Sequence, residues 1–356
     1  MKILKYIFLL LVLCCVAAFV FVATQPGEYF ITKSKEITVS KDIVSNFIND
    51  YKKWNLWNPN FDKSVSKEFF SDDLKNYTIK NGSQTTYYET IEQFGMDSLI
   101  QKMKKNDVSR SIVWRFKSTS SGTLVICEMK GTMNFEQKLY SILQNGVENY
   151  LGEELSIGIE NISNYLSDQI NTYSIKIKGI ETFKSTFYIY QKDSCSISIF
   201  YTESKRKIPD LLKFAQQNSL TYINKPFVLF DYWNRNSEAK FSICLPVQEE
   251  IITSEGSDIS GGEVKEFKAL KISLTGDYSH VRKACNVGYA YIKKNKLIAL
   301  DKNHVESYIV FAPEEQSPSR WMTDIYIPIK NKFARKKEIK VETETLAKTS
   351  DIPKNN

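Results

Sequence analysis

Twenty-two consecutive residues, Tyr6 to Gly27, carry no charge, and most of them are Leu, Val, Phe, Ile and Ala. In hydrocarbon every backbone polar group must be satisfied within the segment, so a run of this kind spans as a helix. At about 1.5 Å rise per residue it covers roughly 30 Å, the thickness of a bilayer core. Lys2 and Lys5 precede it, and basic flanks stay cytoplasmic, which puts everything after Glu28 outside. Val16-Ala17-Ala18 resembles a cleavage site, but the apolar run continues past it to Val22, so an uncleaved anchor is expected over a cleaved signal. The expectation is a single-pass membrane protein held through residues 6–27, amino terminus cytoplasmic and domains periplasmic.

The chain is 356 residues long, which favours two globular units, and 42% hydrophobic residues suffice to fill two cores. The net charge of +7 invites a nucleic-acid reading, but its distribution argues against one. Lys2 and Lys5 supply two charges, and the tail from 331 to 356 holds seven basic against four acidic residues. No basic stripe is left in the body, and only seven of the 48 basic residues are Arg, the better base-edge fork. No nucleic-acid partner is expected. The six Cys form no CxxC pair, and His280 and His304 are the two histidines, so neither a metal site nor a cofactor is expected. Cys127, Cys195, Cys244 and Cys285 sit singly on apolar or amphipathic segments and read as small buried hydrophobes.

After the leader, Tyr29 to Ser40 is strand-like, and Ser40 opens a helix with Val44, Phe47, Ile48 and Tyr51 on one face. Trp54-Asn55-Leu56-Trp57-Asn58-Pro59 follows, and Pro59 ends any helix. Short β-like segments run from Ser66 to Phe135, with turns at Asn81-Gly82 and Ser120-Ser121-Gly122. From Gly146 to Leu166, Leu151, Leu155, Ile159, Ile162 and Leu166 recur at helical spacing, and that stripe must be buried against the sheet. The layout is a helix-grip α+β domain.

This region resembles the START-like superfamily in its polyketide-cyclase and lipid-transport branch. The resemblance is carried by Trp54-x-x-Trp57-x-Pro59, the strand end Gly131-Thr132-Met133-Asn134-Phe135, and the closing helix with Gly158. It departs at Asn60, where an aromatic residue is usual. It implies an apolar ligand between sheet and helix, with Trp54 and Trp57 as candidate contacts. Packing of both rings onto the sheet edge is the competing reading. A cavity of roughly 300 Å³ or more would be needed for such a ligand.

Beyond Asp168 the chain repeats itself. Leu220, Phe227 to Tyr232 and Phe241 to Val247 correspond to Leu297, Val305 to Val310 and Thr323 to Ile329. A helical segment precedes each half, marked by Ile208, Leu211, Leu212 and Ala215, then by Val281, Cys285, Gly288 and Ile292. Each half reads strand–helix–strand–strand (βαββ), and two such repeats should pair about a pseudo-two-fold axis. Gly261-Gly262 reads as a turn.

The repeat resembles the GyrI-like small-molecule-binding domain, also the effector module of some AraC-type regulators. The matching residues are Gly276-Asp277-Tyr278, Asn295-Lys296-Leu297, Glu306-Ser307-Tyr308 and Ile327-Pro328-Ile329. No helix-turn-helix precedes them, so the regulator role does not carry over. The organisation expected is an anchor at 1–27, a START-like domain at 28–168, a GyrI-like domain at 169–330 and a disordered tail at 331–356. Glu306 and Tyr308 share one strand face, with Phe230 and Tyr232 of the matching strand as aromatic walls, and Phe230 is aligned with Glu306. A carboxylate beside aromatic rings suits a cationic or donor-rich ligand.

Gly-x-Ser-x-Gly, the P-loop and His-Glu-x-x-His motifs do not occur. His280 reads as a solvated first-turn residue, and His304, two residues before Glu306, as a proton shuttle only if Glu306 lines a pocket. The expected function is a non-enzymatic, membrane-anchored protein binding a small apolar or amphipathic ligand in the bacterial envelope. A hydrolase using Glu306 as general base and a ligand-free scaffold are the alternatives.

Overall fold

The computed structural model describes residues 2–330 apart from 106–107, 197–199, 234–237, 255, 301–303, 312–313 and 316, with backbone alone at 2, 201–202, 205–206 and 232–233. The tail expected at 331–356 lies outside the described residues. The chain divides into two units, Met1–Asp168 and Gln169–Asn356. The fold is α+β with two antiparallel sheets.

The first unit opens with α1 (Lys2–Thr24). Among the described residues one helix, Ile3–Thr24, is long and apolar enough to cross a membrane, and nearly all of it is exposed. A signal sequence has the same form. Next come β1 (Glu28–Ile37), α2 (Lys41–Asn49) and a meander of β2 (Ser66–Phe70), β3 (Asn76–Asn81), β4 (Gln84–Phe94), β5 (Ser98–Lys105), β6 (Val108–Ser118) and β7 (Thr123–Thr132). Three helices close the unit: α3 (Phe135–Leu143), α4 (Val147–Tyr150) and α5 (Gly152–Asn171). The sheet runs β1-β7-β6-β5-β4-β3-β2. Gly82 turns the β3–β4 hairpin at φ 59°, a conformation that glycine adopts without a Cβ penalty.

The periodic helix expected from Gly146 to Leu166 is broken at Leu151. Lys33 packs against Gly152, where a Cβ would sit 2.9 Å from the Lys33 Cε, and pairs with Glu148 at 2.7 Å. Leu155, Ile159, Ile162 and Leu166 are buried on α5. The strand end expected at Gly131 to Phe135 is also corrected. Pairing stops at Thr132, and Asn134 caps α3, so Phe135 begins a helix.

The second unit contains β8 (Ser174–Phe183), β9 (Thr186–Ser196), α6 (Phe200–Gln217), β10 (Phe227–Trp233), β11 (Glu238–Val247), β12 (Ser260–Val264), β13 (Phe267–Thr275), α7 (Val281–Lys294), β14 (Val305–Val310) and β15 (Met322–Pro328). Its sheet runs β12-β9-β11-β10-β14-β15-β13-β8. The order is the same read from either edge: β10 and β14 meet at the centre, and β11 and β15 flank them. Each half is β9-α6-β10-β11 or β13-α7-β14-β15. Ser219 and Lys296 end the two helices in matching left-handed conformations, φ 54° and 53°. Leu220 N then donates to Ala215 O, and Leu297 N to Ile292 O. The bridges Tyr222–Val247 and Ala299–Ile329 repeat the same match.

Residues 184 and 185 alone join β8 to β9, yet these strands lie far apart in an eight-stranded order. A flat sheet of that width would separate them by roughly 30 Å, far beyond the reach of two residues. The sheet therefore curls until its ends approach. Phe183, Tyr188, Phe227, Phe267 and Tyr326 fill the helix-free side, with Phe183 to Phe267 stacked at 5.1 Å. Helices α6 and α7 cover the other side. Gly288 lets α7 lie close, because a Cβ there would meet the ends of Ile272 and Ile327 at 2.3 and 2.7 Å. The turn expected at Gly261-Gly262 is a strand instead. The Tyr188 ring lies against Gly262, 2.9 Å from where a Cβ would stand.

Candidate functional site

Strand β14 is central, with Val228 of β10 opposite Glu306 on one side and Ile325 of β15 on the other. Its alternation turns Val305 to the aromatic, helix-free side and Glu306 and Tyr308 to the helix side. Glu306 is wholly buried there. His304 Nε2 lies 2.8 Å from Glu306 Oε1, and His304 is itself buried. The Phe230 ring stands 4.9 Å from the His304 ring and 5.2 Å from Phe200, which meets Phe241 edge-on at 4.7 Å. On the far side Tyr308 contacts Tyr278 at 5.2 Å, and Tyr278 stacks on Trp321 at 4.8 Å. The carboxylate therefore sits at the seam of the two halves, walled by rings from both.

Burial alone would lower the His304 imidazole, but Cys285 and Glu306 beside it raise it to about 10. The raised value favours the protonated form of His304 beside Glu306. Burial, then Glu306, pushes the Tyr308 phenol well above its ordinary range, so it stays protonated. A ligand cation reaches Glu306 only by competing with His304.

The structure brings Glu306, Tyr308 and Phe230 together. The pairing register shifts between Phe230 and Tyr232, and the Tyr232 side chain lies outside the described residues. The expected alignment of Phe230 with Glu306 is corrected by register. Phe230 pairs with Phe241 as Tyr308 pairs with Thr323, and Val228 pairs with Ile243 as Glu306 pairs with Ile325. Val228 is therefore the counterpart of Glu306, and Phe230 that of Tyr308. His280 is not solvated as expected: its Nε2 lies 2.9 Å from Ile170 O and its ring stacks on Tyr173 at 3.8 Å. Phe200, Phe241 and Trp321 carried no sequence signal for this site, whereas Tyr278 belonged to the Gly276-Asp277-Tyr278 motif.

In the first unit Trp54 and Trp57 are buried and pack at 4.7 Å, with Tyr88 and Trp114 against them. Trp54 Nε1 donates to Ile48 O at 2.8 Å, and Asn161 of α5 donates to Trp57 O at 3.0 Å. These rings line a cavity of about 30 Å³ between sheet and α5, with Tyr88, Met103, Ile112, Trp114, Met129 and Leu155. That is room for a water molecule and falls far short of the space expected for an apolar ligand. Packing of both Trp rings, the competing reading, describes what they do here. Cys127, Cys244 and Cys285 are buried, whereas Cys195 is half-buried. Among the described residues no group of three or more His, Cys, Asp or Glu is placed to hold a metal ion.

The family model for the GyrI-like small molecule binding domain matches residues 203–330. The match covers both repeats from α6 onward and leaves β8 and β9 before it. A crystal structure of the EcmrR C-terminal domain is 17% identical with TM-score 0.39, over 45% of this chain and 98% of that one. A cryo-electron-microscopy structure of an EcmrR–DNA complex is 16% identical with TM-score 0.39, over 55% and 71%. The XoxI structure from Bacillus cereus is 17% identical with TM-score 0.30, over 39% and 96%. No curated protein matches the chain.

Proposed function

We propose that this chain is a membrane-anchored, non-enzymatic binding protein of the bacterial envelope. Its second unit takes a small amphipathic ligand at the seam around Glu306. The observation that carries this reading is a buried carboxylate among aromatic rings, inside the region that matches a small-molecule-binding family. Anchoring is supported by the uncharged run of α1 and by Lys2 and Lys5 before it. No nucleic-acid partner is part of this proposal, because the body of the chain carries no basic stripe. The START-like resemblance of the first unit stays a likeness of layout. With about 30 Å³ between sheet and helix, we read this unit as a scaffold that carries no apolar ligand of its own.

The test is binding of a lipophilic cation, tetraphenylphosphonium, to the full chain in nanodiscs. Glu306→Gln should weaken it by about 1–3 kcal/mol, the attraction lost between unit charges roughly 6 Å apart at an effective dielectric constant near 20. Native near-ultraviolet dichroism would establish that the variant is folded. Equal binding by wild type and variant rejects the site. Glu306-dependent turnover of an ester substrate would instead favour the hydrolase.

A further inference from the structure

Helix α3 is amphipathic in the reverse of the usual sense. Its start is fixed by a capping box in which the Asn134 side chain accepts from Gln137 N and Gln137 Oε1 accepts from Asn134 N. Phe135, Leu139, Ile142 and Leu143 follow at i, i+4, i+7 and i+8, which is one helix face, and all four are exposed, Leu143 by 68%. The face turned inward carries the polar Gln137 and Ser141, both buried. A helix docked on its own protein core shows the opposite arrangement.

The surroundings of α3 identify what lies against its apolar face. Phe135 packs on Phe19 of α1 with ring centroids 4.6 Å apart. Lys138 Nζ donates to Ala23 O at 3.1 Å, and Met133 N to Gly27 O at 2.8 Å. The helix is thus fastened to the exit end of the uncharged run. Phe19 lies five residues before the end of α1, roughly 7 Å along the helix axis. Amphipathic helices in a membrane interface sit about 5–10 Å deep. Phe30, 61% exposed at the start of β1, belongs to the same end of the unit.

We propose that α3 lies in the boundary between headgroups and acyl chains of the outer leaflet, with Phe135, Leu139, Ile142 and Leu143 immersed. The proposal rests on the reading that α1 spans the bilayer. The anchor and α3 then form one lipid-facing surface, which holds the first sheet at a fixed height and tilt above the membrane.

The test places genetically encoded benzoylphenylalanine at single positions of the full chain in phosphatidylcholine vesicles, followed by irradiation and mass spectrometry. Leu139 and Leu143 should each acquire the mass of one phospholipid. Ser120, at the opposite end of the β6–β7 hairpin, should acquire none. Lipid adducts at Leu11 without any at Leu139 or Leu143 would overturn the placement of α3 and leave the anchor intact. No adduct at Leu11 would overturn the anchor and the proposal with it. Cross-links from Leu143 to a second protein molecule would mark α3 as a protein-docking face and overturn the lipid assignment.

Discussion

A carboxyl group without solvent access needs a polar partner, and for Glu306 that partner, His304, is two residues away. His304 and Glu306 project to the same side because strand residues alternate with period two. The shared face of Glu306 and Tyr308 was legible for the same reason. The ion pair was not, since it depends on both groups being buried under helices that are distant in sequence. The pairing has a pH signature. The folded imidazole titrates at about 10, against an ordinary value of 6.5. Its raised value therefore contributes stability fully below pH 6.5, and that contribution is lost as pH rises toward 10. Thermal melts of the full chain should fall across this window by an amount that His304→Gln does not share. Parallel melting curves for the two proteins would show that His304 is neutral in the fold.

At the scale of elements, the repeat was readable because each half ends its helix the same way. Gln217-Asn218-Ser219-Leu220 and Lys294-Asn295-Lys296-Leu297 each place a polar residue in the left-handed conformation and a leucine after it. The leucine amide then closes on the carbonyl five residues back, a motif that usually employs glycine. Ser219→Gly and Lys296→Gly should each stabilise the second unit by about 0.5–1 kcal/mol, since the strained φ is relieved without loss of a buried contact. Chemical denaturation would show a higher midpoint for either variant, and a lower one would mean that the unfolded chain gains more freedom than the fold loses strain. Helix α3 was not legible because its apolar spacing is short and its entry reads as the end of a strand. The capping pattern Asn134-x-x-Gln137 was the signal available in the sequence.

For the whole molecule, the uncharged leader determines which compartment the units occupy in our reading. A reporter enzyme that becomes active only outside the cytoplasm, fused after Lys330, should be active in the full-length protein. It should be silent when Tyr6 to Gly27 is deleted. Activity of a cytoplasmic reporter at the same position would reverse the orientation. Composition gave the two-core scale of the chain, and hydropathy gave the leader. Neither indicated how little room lies between the first sheet and α5, because cavity volume depends on how Trp54, Trp57, Tyr88 and Trp114 interlock. Ring sizes alone do not determine that.

The crossed edges of the second sheet also constrain how the protein can be made. Strand β8 is laid against β13 and β9 against β12, so each half of the duplication lends a strand to the other. Strand β8 emerges from the ribosome first and must wait for Phe267 and its neighbours, roughly 85 residues later. At about 5–20 residues per second, that leaves a bare strand for on the order of 5–15 s. Neither half can mature alone, and a chain truncated before β13 would present an unpaired edge to any other nascent copy. A single repeat could complete the same edge only by pairing with a second copy of itself.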